Sequence, residues 1–159
     1  MLLLRHASAG EKLGSPSLDR VRPLDAAGRA AARDLPAALA GFAIARILTS
    51  SHRRCLESVR QLAEARGLPV ERREELAPDA SLGDTKALLE ELPDCALVCT
   101  HREVIERLFD GDIECEKGGA WVVERRGSRL VPATYLAPPA AAAAPRRGYA
   151  VAGINRRIS

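Results

Sequence analysis

The apolar positions of the chain fall into short continuous runs. Residues 2–4, 45–49 and 96–100 are apolar nearly throughout and lack the polar alternation of a half-exposed strand. Such runs are typical of parallel strands that are buried on both faces. A further short strand is predicted over residues 69–72, where proline precedes a β-branched residue.

Longer segments between these runs have the composition and spacing of helices. An Ala-rich stretch covers about residues 25–41, with Asp25 as its expected N-cap and Pro36 as an expected kink or break. A second helix is predicted to begin at a Ser50 or Ser51 cap and to continue to about residue 66, where Gly67 stops it. Two shorter helices are predicted over residues 84–92 and 103–109, and the polar residues 11–24 are predicted to form a loop.

The order of the elements predicts the fold class. Strands and helices alternate, which indicates an α/β fold, a three-layer sandwich with a mainly parallel sheet. Residues 120–124 and 130–131 predict a C-terminal hairpin across Arg126-Gly127-Ser128. We expect residues 1–136 to form one domain and residues 137–159, rich in Ala, Pro and Arg, to form a C-terminal extension.

Composition narrows the classes of partner. Aromatic residues make up only 3% of the chain, which argues against a base-stacking surface for nucleic acid. The formal charge of +3 is carried mostly by scattered arginines, a distribution that favours a small anion as ligand. No apolar stretch is long enough to span a membrane. The start of the chain lacks the apolar region of a signal peptide and the four cysteines form no Cys-x-x-Cys pair, so we expect reduced thiols and a cytoplasmic location.

Candidate chemistry lies where the predicted strands end. Arg5-His6 follows the first strand, Ser50 to Arg54 follow the second, and His101 follows the fourth. Ligands of open α/β sheets bind beyond the carboxyl ends of the strands. We therefore expect all three histidines and several arginines to meet at one edge of the sheet.

These residue types suit phosphoryl transfer. Arginine's planar fork can bind two phosphate oxygens at once. A neutral imidazole can take phosphate covalently and release it to water, and neighbouring guanidinium charges disfavour the imidazolium form. Such a site is expected to need no metal and no cofactor.

The same residues carry a family resemblance. Leu3-Leu4-Arg5-His6-Ala7 resembles the RHG signature of the histidine phosphatase superfamily, which shares the phosphoglycerate mutase-like fold, with Ala in place of Gly. The spacing of Ser50, Arg54 and Ser58 resembles the second block of that family, and Val98-Cys99-Thr100-His101 resembles its third. Arg22-Pro23-Leu24, with Gly28 four residues on, resembles a segment of the SixA-like phosphatases and of the phosphatase domain fused to some Nudix hydrolases.

The resemblance implies roles for these residues. His6 would be the nucleophile that becomes phosphohistidine, Arg5 and Arg54 would bind the phosphoryl oxygens, and His101 would stabilise the transferring group. Three further candidates for substrate binding are Ser8, Ser50 and Arg22, although Arg22 could instead tie down its own loop. His101 could likewise serve only to cap the helix that follows it.

The position expected to hold the general acid departs from the family pattern. Pro78 stands where many members carry a glutamate, and Glu75 and Asp79 are the candidates that loop geometry could still bring to the site. Without a strong acid, a phosphohistidine protein or an activated phosphate is a better substrate than a sugar phosphate, because its leaving group needs less protonation.

Three functions remain open. The first is a phosphatase acting on protein phosphohistidine or a small phosphorylated metabolite. The second is a nucleotide phosphatase, and the third is a non-catalytic module that binds phosphate or phosphoprotein. The oligomeric state and the natural substrate do not follow from the sequence.

Overall fold

The strands of the protein assemble into one six-stranded sheet. A computed structural model describes residues 1–140. The strands are β1 (Leu2–Arg5), β2 (Arg46–Thr49), β3 (Val70–Arg72), β4 (Ala96–Thr100), β5 (Ala120–Arg126) and β6 (Arg129–Leu136). They lie in the order β3-β2-β4-β1-β5-β6, and the first four strands are parallel. Strand β5 runs antiparallel to β1, and β6 pairs with β5 as a hairpin. The α/β prediction, with a mainly parallel sheet and a C-terminal hairpin, is confirmed.

Helices connect the parallel strands. They are α1 (Pro16–Arg20), α2 (Ala26–Ala38), α3 (Arg53–Arg66), α4 (Leu82–Glu90) and α5 (Arg102–Leu108), with a 3-10 turn at Glu74–Leu76. Among the described residues, no helix has the length and apolarity needed to cross a membrane.

Both faces of the sheet are buried, which explains why its central strands lack polar alternation. Leu2 and Leu4 of β1 pack on one face, against apolar residues of α2 and α3. Leu3 points to the opposite face, where Leu88 and Leu89 of α4 cover it. Alternate residues of one strand thus enter two separate cores.

The observed helix boundaries correct several predictions. The segment predicted as a loop over residues 11–24 contains the short helix α1, which begins with a proline. The N-cap of α3 is His52 rather than either serine, because the Ser50 hydroxyl faces two imidazoles instead of the helix. Helix α4 begins at Leu82, two residues earlier than predicted, because the Ser81 hydroxyl accepts from Asp84 N and caps it.

Helix α2 matches its predicted start. Asp25 is its N-cap and accepts a hydrogen bond from Gly28 N at 2.8 Å. Pro36 lies inside the helix without splitting it, and the helix ends at Ala38.

The hairpin is longer than predicted and forms one edge of the sheet. Its register shifts between Val122 and Val123, and Pro132 of β6 lies opposite Val123. Of the predicted extension over residues 137–159, residues 141–159 lie outside the described part of the chain.

The strand order brings the candidate residues together. Strand β4 lies between β1 and β2, so the ends of these three strands are neighbours. Two hydrogen bonds continue the pairing beyond the strands: His6 N donates to Thr100 O at 3.0 Å, and Ser50 N donates to Cys99 O at 3.1 Å. His6, Ser50 and His101 therefore begin three adjacent loops.

Candidate active site

The imidazole of His6 has a defined tautomer. Its Nδ1 lies 2.8 Å from the carbonyl oxygen of Ala7, which can only accept, so Nδ1 carries the hydrogen. The lone pair is then on Nε2, where Arg54 Nε donates at 3.3 Å. The nitrogen available for attack on phosphorus thus faces the arginine expected to bind phosphate.

Burial keeps His6 neutral. It lowers the pKa of His6 to about 3; the Ala7 carbonyl opposes this shift, and the charges of Arg54, Arg5 and Arg22 reinforce it. A group with that pKa carries no charge at neutral pH. Since only the neutral imidazole has a free lone pair, the environment favours the nucleophilic form.

Arg54 is the centre of the site. It lies in the first turn of α3 and is only 3% exposed. Its Nη1 donates to the backbone oxygen of Asp19 at 2.8 Å, and its Nη2 lies 3.1 Å from the Asp19 carboxylate. Its Nη2 also lies 3.3 Å from His101 Nδ1. The guanidinium therefore joins both imidazoles predicted from the sequence.

A chain of hydrogen bonds orients His101. Because arginine only donates, His101 Nδ1 accepts from Arg54, and His101 Nε2 carries the hydrogen and donates to Ser50 Oγ at 2.9 Å. The Ser50 hydroxyl can then donate to His52 Nδ1 at 3.1 Å. Burial lowers the pKa of His101, and its neighbours His6 and Arg54 lower it further. Ser50 thus contacts His101 rather than the open cleft.

Two more arginines surround His6. Arg5 Nη1 donates to Cys115 O at 2.7 Å, while its buried Nε has no hydrogen-bond partner within residues 1–140. Arg22 is held by Asp19 Oδ1 at 2.9 Å and by the backbone oxygen of Ala9 at 2.8 Å. Arg22 therefore ties its loop, one of its two predicted roles, and it also borders the cleft.

These side chains border a cleft of about 210 Å³. Most of its lining is cationic and comes from five separate segments of the chain. The lining residues are Arg5, His6, Gly10, Lys12, Arg22, Arg54, Arg102, Glu103 and Lys117. A cleft of this size and charge can hold a phosphate group.

The remaining candidates lie elsewhere. The Ser8 hydroxyl donates to Asp25 at 2.6 Å and ties the loop after β1 to α2. The Glu75 carboxylate pairs with Arg73 at 2.7 Å. Asp79 borders a neighbouring cleft together with His52 and Arg20. None of these three residues borders the cleft around His6.

Sequence reasoning missed several residues of the site. Asp19, which holds Arg54 and Arg22, lies in a polar segment predicted as a loop, where nothing in the sequence distinguishes it from Glu11. Lys12, Lys117 and Glu103 reach the cleft only through the fold. Within residues 1–140, no group of three or more His, Cys, Asp or Glu side chains is arranged to hold a metal ion.

Comparison with known proteins identifies relatives. The family model of the histidine phosphatase superfamily, branch 1, matches residues 1–93, which include Arg5, His6 and Arg54. An 8-oxo-(d)GTP phosphatase of Mycolicibacterium smegmatis is 30% identical over 155 residues, covering 87% of this chain. The chain spans about half of that protein, 48% of its length.

Solved structures share the fold. The protein histidine phosphatase SixA, complexed with tungstate, superimposes with a TM-score of 0.72 at 22% identity, over 86% of this chain and 96% of that one. A mycobacterial glucosyl-3-phosphoglycerate phosphatase, complexed with VO3, superimposes with a TM-score of 0.70 at 14% identity, over 86% of this chain and 98% of that one. The family match covers more than half of the chain and includes the segment that carries His6, so the chain belongs to the histidine phosphatase superfamily.

Proposed function

We propose that this protein is a metal-independent phosphatase that works through a phosphohistidine on His6. The observation that carries the proposal is the neutral His6 Nε2, which lies 3.3 Å from Arg54 Nε at a cleft bordered by arginines and lysines. Membership in a superfamily of phosphatases supports the same reaction class.

The reaction has two steps. His6 Nε2 attacks phosphorus, an N–P bond forms, and the bond to the leaving group breaks. Arg5 and Arg54 bind the non-bridging oxygens, and His101, whose Nδ1 accepts from Arg54 Nη2, orients that guanidinium. Water then attacks phosphorus, the N–P bond breaks, and its electron pair returns to Nε2. The Ala7 carbonyl accepts from Nδ1–H throughout, which partly offsets the positive charge on the phosphorylated ring.

The substrate we propose is a phosphohistidine protein or a small phosphorylated metabolite. Glu75 and Asp79, the acids expected after β3, do not border the cleft, which favours leaving groups that depart without strong acid help. A nucleotide is the second candidate, and the similarity to an 8-oxo-(d)GTP phosphatase specifically favours it.

Phosphate release from a panel of substrates tests the proposal. The panel contains a phosphohistidine protein, nucleoside diphosphates and triphosphates, and sugar phosphates, each with and without EDTA. We expect turnover that survives EDTA and disappears in His6→Ala. A short pulse of labelled substrate should place acid-labile, base-stable phosphate on the peptide that contains His6. Label on the peptide of His52 or His101 instead, or activity retained by His6→Ala, would overturn the proposal.

A further inference from the structure

Glu103 is the one carboxylate that borders the cleft within the described residues. Six cationic side chains accompany it, together with His6 and Gly10. Its side chain is 45% exposed, so water and substrate can reach it. A carboxylate at this place repels an anionic ligand and so weakens its binding. Its presence at the cleft is explained if it takes part in the reaction.

The position of Glu103 follows from the fold around His101. Helix α5 begins immediately after His101, and Glu103 is in its first turn. Its carboxylate lies 4.0 Å from Lys12 Nζ, and both residues border the cleft. The negative charge of Glu103 also acts to raise the pKa of Arg5 and of Arg54, although burial lowers both overall. The carboxylate therefore shares the cleft with both arginines assigned to the phosphoryl group.

The other nearby carboxylates are paired with arginines. Glu74 pairs with Arg20 at 2.7 Å, and Glu75 pairs with Arg73. Asp19 is buried, pairs with Arg54 and Arg22, and does not border this cleft. Glu103 is the acid that keeps an exposed carboxylate at the cleft.

We propose that Glu103 is the general acid and base of the reaction, and that the enzyme therefore also hydrolyses phosphate monoesters with poor leaving groups. This inference rests on the proposed function and widens its substrate class from activated phosphates to alkyl phosphates. The proposed acid lies in α5, the helix that follows β4. The glutamate of the family pattern would instead lie in the loop after β3, where Pro78 stands.

The proton transfers balance in both steps. In the first, the P–O bond to the alcohol breaks as His6 Nε2 bonds to phosphorus, and the Glu103 carboxylic acid gives its proton to the leaving oxygen. In the second, water attacks phosphorus, the N–P bond breaks, and the Glu103 carboxylate takes a proton from the water.

The test compares leaving groups in Glu103→Gln. The parameter is kcat/KM, which reports the steps up to phosphoryl transfer to His6 and excludes hydrolysis of the phosphoenzyme. For an alkyl phosphate we expect a loss of about 10²–10⁴-fold, the usual contribution of a general acid. For p-nitrophenyl phosphate, whose phenolate departs without a proton, we expect a loss below about 10-fold.

Glu106→Gln is the matched control. It makes the same change of charge one turn further along α5, where the side chain pairs with Arg102 at 3.5 Å and does not border the cleft around His6. We expect its kcat/KM for both substrates to stay near the wild-type values. Thermal melting of both variants checks that the fold is intact, and Glu103→Asp, which keeps the acid on a shorter side chain, should recover part of the alkyl phosphate activity.

Two results would overturn the inference. One is an equal loss for both leaving groups in Glu103→Gln, which would indicate a role in binding alone, and the other is no loss for either. Both are distinct from failure of the proposed function, which would appear in the wild-type protein as absence of phosphate on His6.

Discussion

The carboxylate of Asp19 lies 3.1 Å from Arg54 Nη2, with both side chains almost completely buried. Burial alone would raise the pKa of Asp19, but the hydrogen bond from Leu13 N and the charges of Arg54 and Arg22 outweigh it, so the pKa is lowered. Asp19 thus stays ionised and holds the guanidinium between the two imidazoles. It contacts the arginines and not His6, so we regard it as a positioning residue.

Replacing Asp19 should loosen the site. In Asp19→Asn we expect kcat/KM to fall about 10²-fold, because a displacement of Arg54 by about 1 Å can cost that much. We also expect a loss of about 3–5 kcal/mol in the free energy of unfolding, the cost of leaving a buried charge without its partner. Steady-state kinetics and urea denaturation measure the two effects.

Asp94→Asn is the control for this change. Its side chain is 79% exposed and pairs with Arg125 at 3.7 Å, so we expect a stability change within about 0.5 kcal/mol and unchanged kinetics. Equal kinetics for Asp19→Asn and wild type would show that Arg54 keeps its position without the carboxylate.

Ser50→Ala should disturb the orientation of His101. The variant removes the acceptor of the His101 Nε2–H bond and leaves a buried donor without that partner, which costs about 1–3 kcal/mol of stability. We expect kcat to fall because His101 can then rotate away from Arg54. Ser51→Ala changes the neighbouring, less buried hydroxyl and should leave kcat near the wild-type value; a similar loss in both variants would contradict the assigned chain of hydrogen bonds.

Gly28→Ala should destabilise the loop after β1. A Cβ at Gly28 would lie 1.9 Å from the Ser8 carbonyl oxygen, which is backbone and cannot move aside cheaply. We expect a loss of about 1–3 kcal/mol, as for other overpacked sites. Gly83→Ala, also in a first helical turn, meets only Ser81 Oγ at 3.9 Å, and we expect it to gain about 0.5–1 kcal/mol in denaturant unfolding. Equal effects at both glycines would contradict the close packing of α2 on the Ser8 loop.

Stability should decrease as the pH falls below about 6.5. The folded protein holds His6, His52 and His101 with lowered pKa values, so the unfolded chain binds more protons in this range. Each histidine should cost about 1.4 kcal/mol per pH unit between its unfolded pKa of about 6.5 and its folded value. Asp19, whose pKa is also lowered, adds to the loss below about pH 4.

Urea unfolding at pH 7, 6 and 5 measures this dependence. His101→Asn removes one of the three titrating histidines and should reduce the slope of the unfolding free energy against pH, while His6 and His52 still contribute. A slope unchanged in that variant would show that other groups produce the acid sensitivity.

The sequence predicted the parts of the site that depend on strand ends. His6, Arg54 and His101 follow strands or begin helices, and the parallel order of the sheet brings such positions together whatever lies between them. Asp25 was identifiable as an N-cap because its role depends on its own local segment. These features depend on short segments of the chain or on the ends of strands, and so they can be predicted from the sequence.

Other features depend on packing between segments that are far apart in the sequence. Asp19 acquires its role only because α1 folds back over Arg54, and the polar composition of residues 11–24 masked that short helix. Glu103 resembled an ordinary acidic residue in the first turn of a helix. Side-chain hydroxyls were also misjudged, since Ser50 bonds to imidazoles rather than capping α3.

The excess of positive charge around the cleft affects how quickly substrate arrives. Among the described residues, six cations and one carboxylate border the cleft, and together they create a local field that draws dianions inward before any contact is made. Dissolved ions shorten the range of that field to about 8 Å at physiological ionic strength. Encounter rates with phosphorylated molecules should therefore fall steeply with added salt. The rate of the chemical step, once substrate is bound, should depend on salt far less.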